Sequence, residues 1–192
     1  MIVTGRPEDA EAWLSNSAMR CPGCGGTLAK WGYGRQRTVR SLGSHTVTVR
    51  PQRTRCRDCN TTHIVLPTAL QPRRADTTEV IGTALAHKAH SLGYRRIAVR
   101  MGRAESTVRR WLRRASGAHL QWLYQQGVRR LLQLAPDAFN EISYSGNQLR
   151  HALTVLAAAA FHDRQRFGFA EPPWTLIGMY TKGRLLAPPP RS

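Results

Sequence analysis

Two short stretches of the chain alternate with a period of two, Lys30-Trp31-Gly32-Tyr33 and Thr46-Val47-Thr48-Val49. β-Branched and aromatic residues at that period predict short strands, with Ser41 to His45 as a turn between them. From residue 76 the period becomes that of a helix. Asp76-Thr77-Thr78-Glu79 has the spacing of a capping box with Asp as the cap. Val80, Ile81, Ala84, Leu85 and Leu92 then fall on one face of a helix that Gly93 ends. Ile97, Ala98 and Met101 define a second apolar face, and Val108, Trp111, Leu112 and Ala115 a third, with Gly102 between them. Two longer stripes follow, one through Leu120, Leu123, Tyr124, Val128, Leu131 and Leu132, the other through Leu149, Ala152, Leu153, Leu156, Ala157, Ala160 and Phe161. They are expected to pack on each other, with Pro136 in the break between them. Pro172-Pro173-Trp174 can open a short last helix, since Pro is favoured in a first turn. The fold expected from this pattern is mainly α with a small β module.

Charge sharpens the picture. The 192 residues carry a formal net charge of +18. Between Arg20 and Arg130 there are 22 basic residues and four acids (Asp58, Asp76, Glu79 and Glu105), whereas outside that window seven of each cancel. Self-repulsion on this scale destabilises a compact fold unless a polyanion sits against it, so nucleic acid is the expected partner. The longest apolar stretch, Leu153 to Phe161, is too short to span a bilayer. The first 20 residues hold no apolar block of signal-peptide type, and a cytoplasmic location is expected.

All four cysteines fall into two pairs, Cys21-Pro-Gly-Cys24 and Cys56-Arg-Asp-Cys59. Two residues between thiolates let both sulfurs of a tight turn reach one ion, and two such turns complete a tetrahedral zinc site. Gly23, Gly25 and Gly26 offer the positive φ that such turns need, while Arg20, Arg55 and Arg57 would favour the thiolate form. With β structure between the pairs, this describes a zinc ribbon with structural Zn2+. Two disulfides are disfavoured in a cytosolic protein, and a redox dithiol is disfavoured by the second matched pair. His63 is expected to be a hydrogen-bonded structural residue rather than a ligand or a catalytic imidazole. Trp31 and Tyr33 are expected in the ribbon's own core rather than as platforms for bases.

The segment from Tyr94 to Arg113 resembles the bacterial helix-turn-helix motif: the small Ala98, a large Met101, Gly102, and apolar Val108 six residues on. Arg103 departs from it, since the residue after the Gly is commonly apolar. The resemblance places a recognition helix from about Ala104 to Ala115 in the major groove. Glu105, Ser106, Arg109, Arg110 and Arg113 would face outward, and Arg95, Arg96 and Arg100 on the preceding helix are suited to phosphates.

The order of parts extends the likeness. Cys-Pro-x-Cys-Gly, an Arg-rich Cys-x-x-Cys, the Leu66-Pro67 exit and a helix-turn-helix resemble the N-terminal DNA-binding portion of insertion-sequence transposases. They resemble more closely a family of short, stand-alone bacterial proteins of unknown function. The likeness covers about residues 20–115, and Gly183-Arg184-Leu185-Leu186 more loosely. A full transposase would carry three metal-binding carboxylates on a sheet. Here only Asp137, Glu141, Asp163 and Glu171 follow the motif, in helical sequence, so no catalysis is expected.

The expected organisation is an N-terminal arm over 1–19 and a zinc ribbon over 20–67. A basic linker from Gln71 to Ala75 leads to a helix-turn-helix domain over 76–116, a helical domain over 117–187 and a flexible tail over 188–192. The expected function is zinc-stabilised, sequence-specific binding of double-stranded DNA, as a regulator or a transposition-related factor. The apolar C-terminal stripes leave room for a homodimer. Two other readings stay open: a transposase subunit whose catalytic part lies elsewhere, and an RNA-binding ribbon that would present stacking aromatics on an exposed sheet.

Overall fold

The computed structural model describes residues 2–4 and 7–186; the expected flexible tail lies outside them. The chain is mixed α/β, with more sheet than its alternating stretches suggest. Strands β1 (Ile2–Thr4), β2 (Leu28–Tyr33), β5 (Gln52–Cys56) and β6 (Thr62–Pro67) form one sheet in the order β1-β6-β5-β2. β3 (Arg37–Arg40) and β4 (Thr46–Val49) form a separate hairpin around the expected turn. The two strands legible from alternation therefore exist but do not pair with each other. Gly32, with φ of 80°, sits in a register shift between Lys30 and Tyr33, after which the β2–β5 ladder closes with Tyr33 opposite Gln52. The chain then leaves the first sheet before building the hairpin.

Of residues 1–19, read from the sequence as an arm, the described ones join this body. β1 adds to β6 in parallel. Helix α1 (Pro7–Ser15) contributes Ala10 and Leu14 to a small core with Met19, Cys21, Leu28, Cys56 and Val65.

Helices α2 (Thr78–Ala89), α3 (Tyr94–Met101), α4 (Glu105–Arg114), α5 (Ala118–Leu134), α6 (Pro136–Asn140), α7 (Gln148–Phe167) and α8 (Pro173–Tyr180) complete the described chain. One apolar core runs through them, including Ile81 and Leu85 of α2, Ile97 of α3, Trp111 of α4, Leu123 of α5, Leu156 of α7 and Leu176 of α8. Each fully buried Leu or Ile contributes roughly 1.5–3 kcal/mol by leaving water. The three helices α2–α4 thus rest on the C-terminal helices rather than on a core of their own. Three residues assigned to the stripes, Leu132, Ala157 and Phe161, are exposed. Each follows a buried neighbour, Leu131, Leu156 or Ala160, and one helical step of about 100° turns it away from the contact between α5 and α7.

The cap of α2 also differs from expectation. Thr77, not Asp76, is the N-cap, its hydroxyl accepting from the Val80 amide at 3.3 Å. The helix stops at Ala89, short of Gly93; Ser91 takes the left-handed turn (φ 66°) and Gly93 instead precedes α3.

Asp76 is released for another task. It is buried, and it accepts from Arg40 Nη2 on β3 at 2.8 Å and from Arg103 Nε, in the turn between α3 and α4, at 2.7 Å. Arg103 also donates to the carbonyls of Ser41 (2.7 Å) and Met101 (3.0 Å). Its side chain is only 6% exposed. The residue that breaks the helix-turn-helix pattern is the one that fastens the turn to the hairpin. The stretch from Gln71 to Ala75 is no loose linker either. Arg40 N donates to Ala75 O at 2.8 Å and Thr77 N to Arg40 O at 3.0 Å, so the segment lies parallel to β3. Gln71 is buried, donating to Thr78 Oγ1 and accepting from the Leu185 amide.

Removing one partner of a buried ion pair strands the other charge. Asp76→Ala should therefore destabilise the protein by about 3–5 kcal/mol, because Arg103 remains buried. Arg40→Ala, at a half-exposed site, should cost about 1 kcal/mol or less. Urea denaturation of both variants checks this, and equal small losses would contradict the role given to Asp76.

Candidate metal centre and nucleic-acid interface

The two Cys-x-x-Cys turns fold alike. Cys21 N donates to Gly26 O at 2.7 Å and Gly25 N to Cys21 O at 2.9 Å. The second turn repeats the pattern, with Cys56 N to Thr61 O at 3.0 Å and Asn60 N to Cys56 O at 3.2 Å. The fifth residue of each is left-handed, Gly25 at φ 74° and Asn60 at φ 59°, a conformation that Gly and Asn adopt most readily. Of the three glycines expected to supply positive φ, only Gly25 does so. A Cβ at Gly26 would meet the exposed Asp58 carboxylate, 1.8 Å from Oδ2, so that side chain would have to move. Arg57 N donates to Thr27 O at 3.0 Å and ties the two turns together.

This geometry brings all four sulfurs within 4.8 Å of one another. Cys21 Sγ lies 3.8 Å from Cys59 Sγ, and Cys24 Sγ lies 3.5 Å from Cys56 Sγ. Thiolates about 2.3 Å from a shared tetrahedral ion stand about 3.8 Å apart, so the set fits a single metal ion. Sulfurs in a disulfide would be about 2.05 Å apart, and the four cysteines are free. Packed this closely without a cation, the thiols cannot all ionise. Cys24 is raised to about 12: the Gly26 amide favours its thiolate but is outweighed by hydrogen bonds with Cys59 and Cys56 and by burial. Cys59 is lowered to about 6, first by the Thr61 hydroxyl and then by the Thr61 amide. A bound divalent ion removes that conflict by neutralising the sulfurs together.

His63 stands outside the four-sulfur set. It is buried, with Nε2 3.4 Å from Cys21 Sγ, and burial lowers its pKa. A neutral ring there can donate to a ligating thiolate and orient it. The expected arginines are partly diverted: Arg20 donates to Thr27 Oγ1, and Arg55 lies over the Trp31 ring at 4.6 Å. Trp31 and Tyr33 contradict their expected place in the core, being 50% and 48% exposed. β2 is an edge strand, and beyond Ala29 the broken alternation turns every residue outward. Arg50 covers the Tyr33 ring at 5.3 Å.

The second constellation lies on α3 and α4. Gly102 closes α3 in the left-handed region at φ 59°, and its N–H caps the helix. Val108 and Trp111 are buried on the inner face of α4. Arg95, Arg96, Arg100, Glu105, Ser106, Arg109, Arg110 and Arg113 are all exposed. Arg95 lies 3.7 Å from Glu105, and the guanidiniums of Arg95 and Arg109 both approach the Tyr94 ring. Glu105 is thus partly committed to Arg95, a link hidden in the sequence by the nine residues between them. Sequence reasoning also passed over Val99, which is 82% exposed among the arginines of α3.

The acids after the motif do not gather. Asp163, buried in α7, accepts from Arg130 at 2.9 and 2.5 Å and from the Tyr180 hydroxyl, a structural arrangement; burial first, and then the bond to Asp163, raise the Tyr180 pKa. Among the described residues the four cysteines are the one cluster of three or more potential metal ligands. No helix among them is long and apolar enough to cross a membrane.

A family model described as a domain of unknown function (DUF6431) matches residues 21–111. That span starts at the first cysteine and ends at Trp111 in α4, so it takes in both cysteine turns, the hairpin and most of the basic helical face. No curated protein and no solved structure matches the chain.

Four ligands in two turns should hold one divalent ion per chain. Elemental analysis of protein purified without added metal should give that stoichiometry. Cys56→Ser should empty the site and unfold the sheet around it, because the binding energy of such an ion is largely folding energy. An unchanged unfolding midpoint in chelator would contradict it.

Proposed function

We propose that the protein is a non-catalytic, sequence-specific binder of double-stranded DNA, in which a zinc ribbon braces a helix-turn-helix. The observation that carries this reading is the pairing of α3 and α4 across Gly102, with apolar residues inward and a run of exposed arginines outward. Short helices joined by a left-handed Gly, with an Arg-rich second helix, suit insertion into a major groove. Arg110 and Arg109 near the start of α4 can donate two bonds each to guanine O6 and N7. Arg96 and Arg100 on α3 are better placed for phosphates. Zinc is the preferred metal because four thiolates at tetrahedral spacing suit it, and its part here is structural. A cytoplasmic location agrees with free thiols.

Within this reading the protein acts as a regulator or as a transposition-related factor. The DNA-binding part of a transposase with its catalytic carboxylates on another chain is a variant of the same proposal. A homodimer would pair two such readers over a two-fold site. The exposed Trp31 and Tyr33, each beside an arginine, favour a second reading in which the ribbon face binds RNA. Selection of bound sequences from random duplex DNA and from random RNA separates the two. Enrichment of a duplex motif supports the first, and enrichment from RNA alone supports the second.

Two quantities follow for DNA. With some six to ten phosphate contacts, log K should fall against log salt with a slope of roughly −5 to −9. Arg110→Ala should lose about 1–3 kcal/mol on the selected duplex and much less on a scrambled one, whereas Arg96→Ala should weaken both and lower the slope by about one. Paired anisotropy titrations at several salt concentrations measure both effects, and equal losses on both duplexes for Arg110→Ala would displace it from the bases.

A further inference from the structure

Arginines of the hairpin, of the segment beside it and of α4 meet at one seam. Arg37 on β3 donates from Nη1 to the Arg74 carbonyl at 3.3 Å. At the other end of the same strand, Ser41 O and Asp76 hold Arg103, which begins the approach to α4. Strand and helix leading away from this anchor have similar lengths: the four residues of β3 cover about 13 Å, and the ten residues of α4 about 15 Å. The far ends lie within electrostatic reach of one another. Arg74 has its pKa drawn below the ordinary guanidinium range, first by burial and then by the charges of Arg114 and Arg110.

No carboxylate answers this charge. Asp76 is spent on Arg40 and Arg103, Glu105 faces Arg95, and Asp58 packs against Gly26. Among the described residues, Arg37, Arg74, Arg110 and Arg114 make no ion pair, and Arg37 Nε is buried without an acceptor. Holding like charges together costs stability that a bound anion returns. A guanidinium offers paired donors that match phosphate oxygens.

We infer that Arg37, Arg74 and Arg114 form a phosphate-binding seam between the β hairpin and α4 that grips the backbone of duplex DNA beside the groove α4 enters. The inference rests on the proposed role of α4. It adds that the hairpin, inserted in the chain between two strands of the metal-bearing sheet, is a wall of the DNA site, so the two halves of the basic region bind as one body.

The test uses the full-length, metal-loaded protein and anisotropy titrations on selected and scrambled duplexes from low to moderate salt. Arg37→Ala and Arg74→Ala should each weaken binding several-fold on both duplexes at low salt and lower the salt slope by about one. Arg74→Lys, which keeps the charge, should retain the slope. Metal content and unfolding midpoint are measured alongside, so that a folding defect is seen directly; an alanine variant that loses either is replaced by the glutamine variant at the same position. Unchanged affinity and slope would overturn the seam, as would a loss confined to the selected duplex or to a single-stranded oligonucleotide. If Arg110→Ala and Arg96→Ala also left duplex binding unchanged, the proposed role of α4 would fall with it; if they acted as expected, only the seam would.

Discussion

Asp76 is a single buried carboxylate with a guanidinium on each oxygen, one from the hairpin and one from the turn before α4. The two modules on either side have separate cores, and this contact, with the strand-like segment next to it, fixes how one sits on the other. Burying such a group is costly in itself, because desolvation offsets most of the Coulombic attraction. The return is geometric. Arg103 has donors left over for the carbonyls of Ser41 and Met101, so the fork positions strand, turn and helix at once. An apolar residue in its place would pack the turn but could not orient the hairpin.

The same constraint bears on the charge. A net +18 concentrated in the first two-thirds of the chain pushes the sheet and the basic helices apart. Three devices oppose that repulsion. Asp76 joins the modules, four thiolates gathered at one point bring negative charge into the sheet once a metal holds them, and the apolar core beneath α2–α4 is extended by α5, α7 and α8. The C-terminal helices thereby serve as a base for the basic face rather than as an independent unit. Leu185 reaches back to Gln71, which closes the helical part onto the segment leading from the sheet.

The cysteine turns show how local chemistry and remote packing divide the work. Each turn is specified within six residues by its amide bonds and a left-handed Gly or Asn. Bringing the turns together takes the pairing of β2 with β5, which sets Leu28 opposite Cys56, and the bond from Arg57 to Thr27. The site is thus distributed over residues far apart in sequence, which is why ion binding and folding of the sheet should be coupled.

The sequence by itself determined the features with a short range. Ligand spacing, segregation of charge, helical period, the left-handed residue at Gly102 and the first turn of α8 all follow from neighbours within a few positions. Partner choice over longer distances was decided by the tertiary structure. Nothing local says that residues 30–33 and 46–49 enter different sheets, that β1 adds beside β6, or that Trp31 and Tyr33 lie on an edge and face outward. Asp76 is the clearest case. Its spacing fits a helix cap, and Thr77 can do that work equally well. The carboxylate instead goes to guanidiniums 36 and 27 residues away, because packing of the hairpin beside the turn before α4 brings those two charges to its buried oxygens.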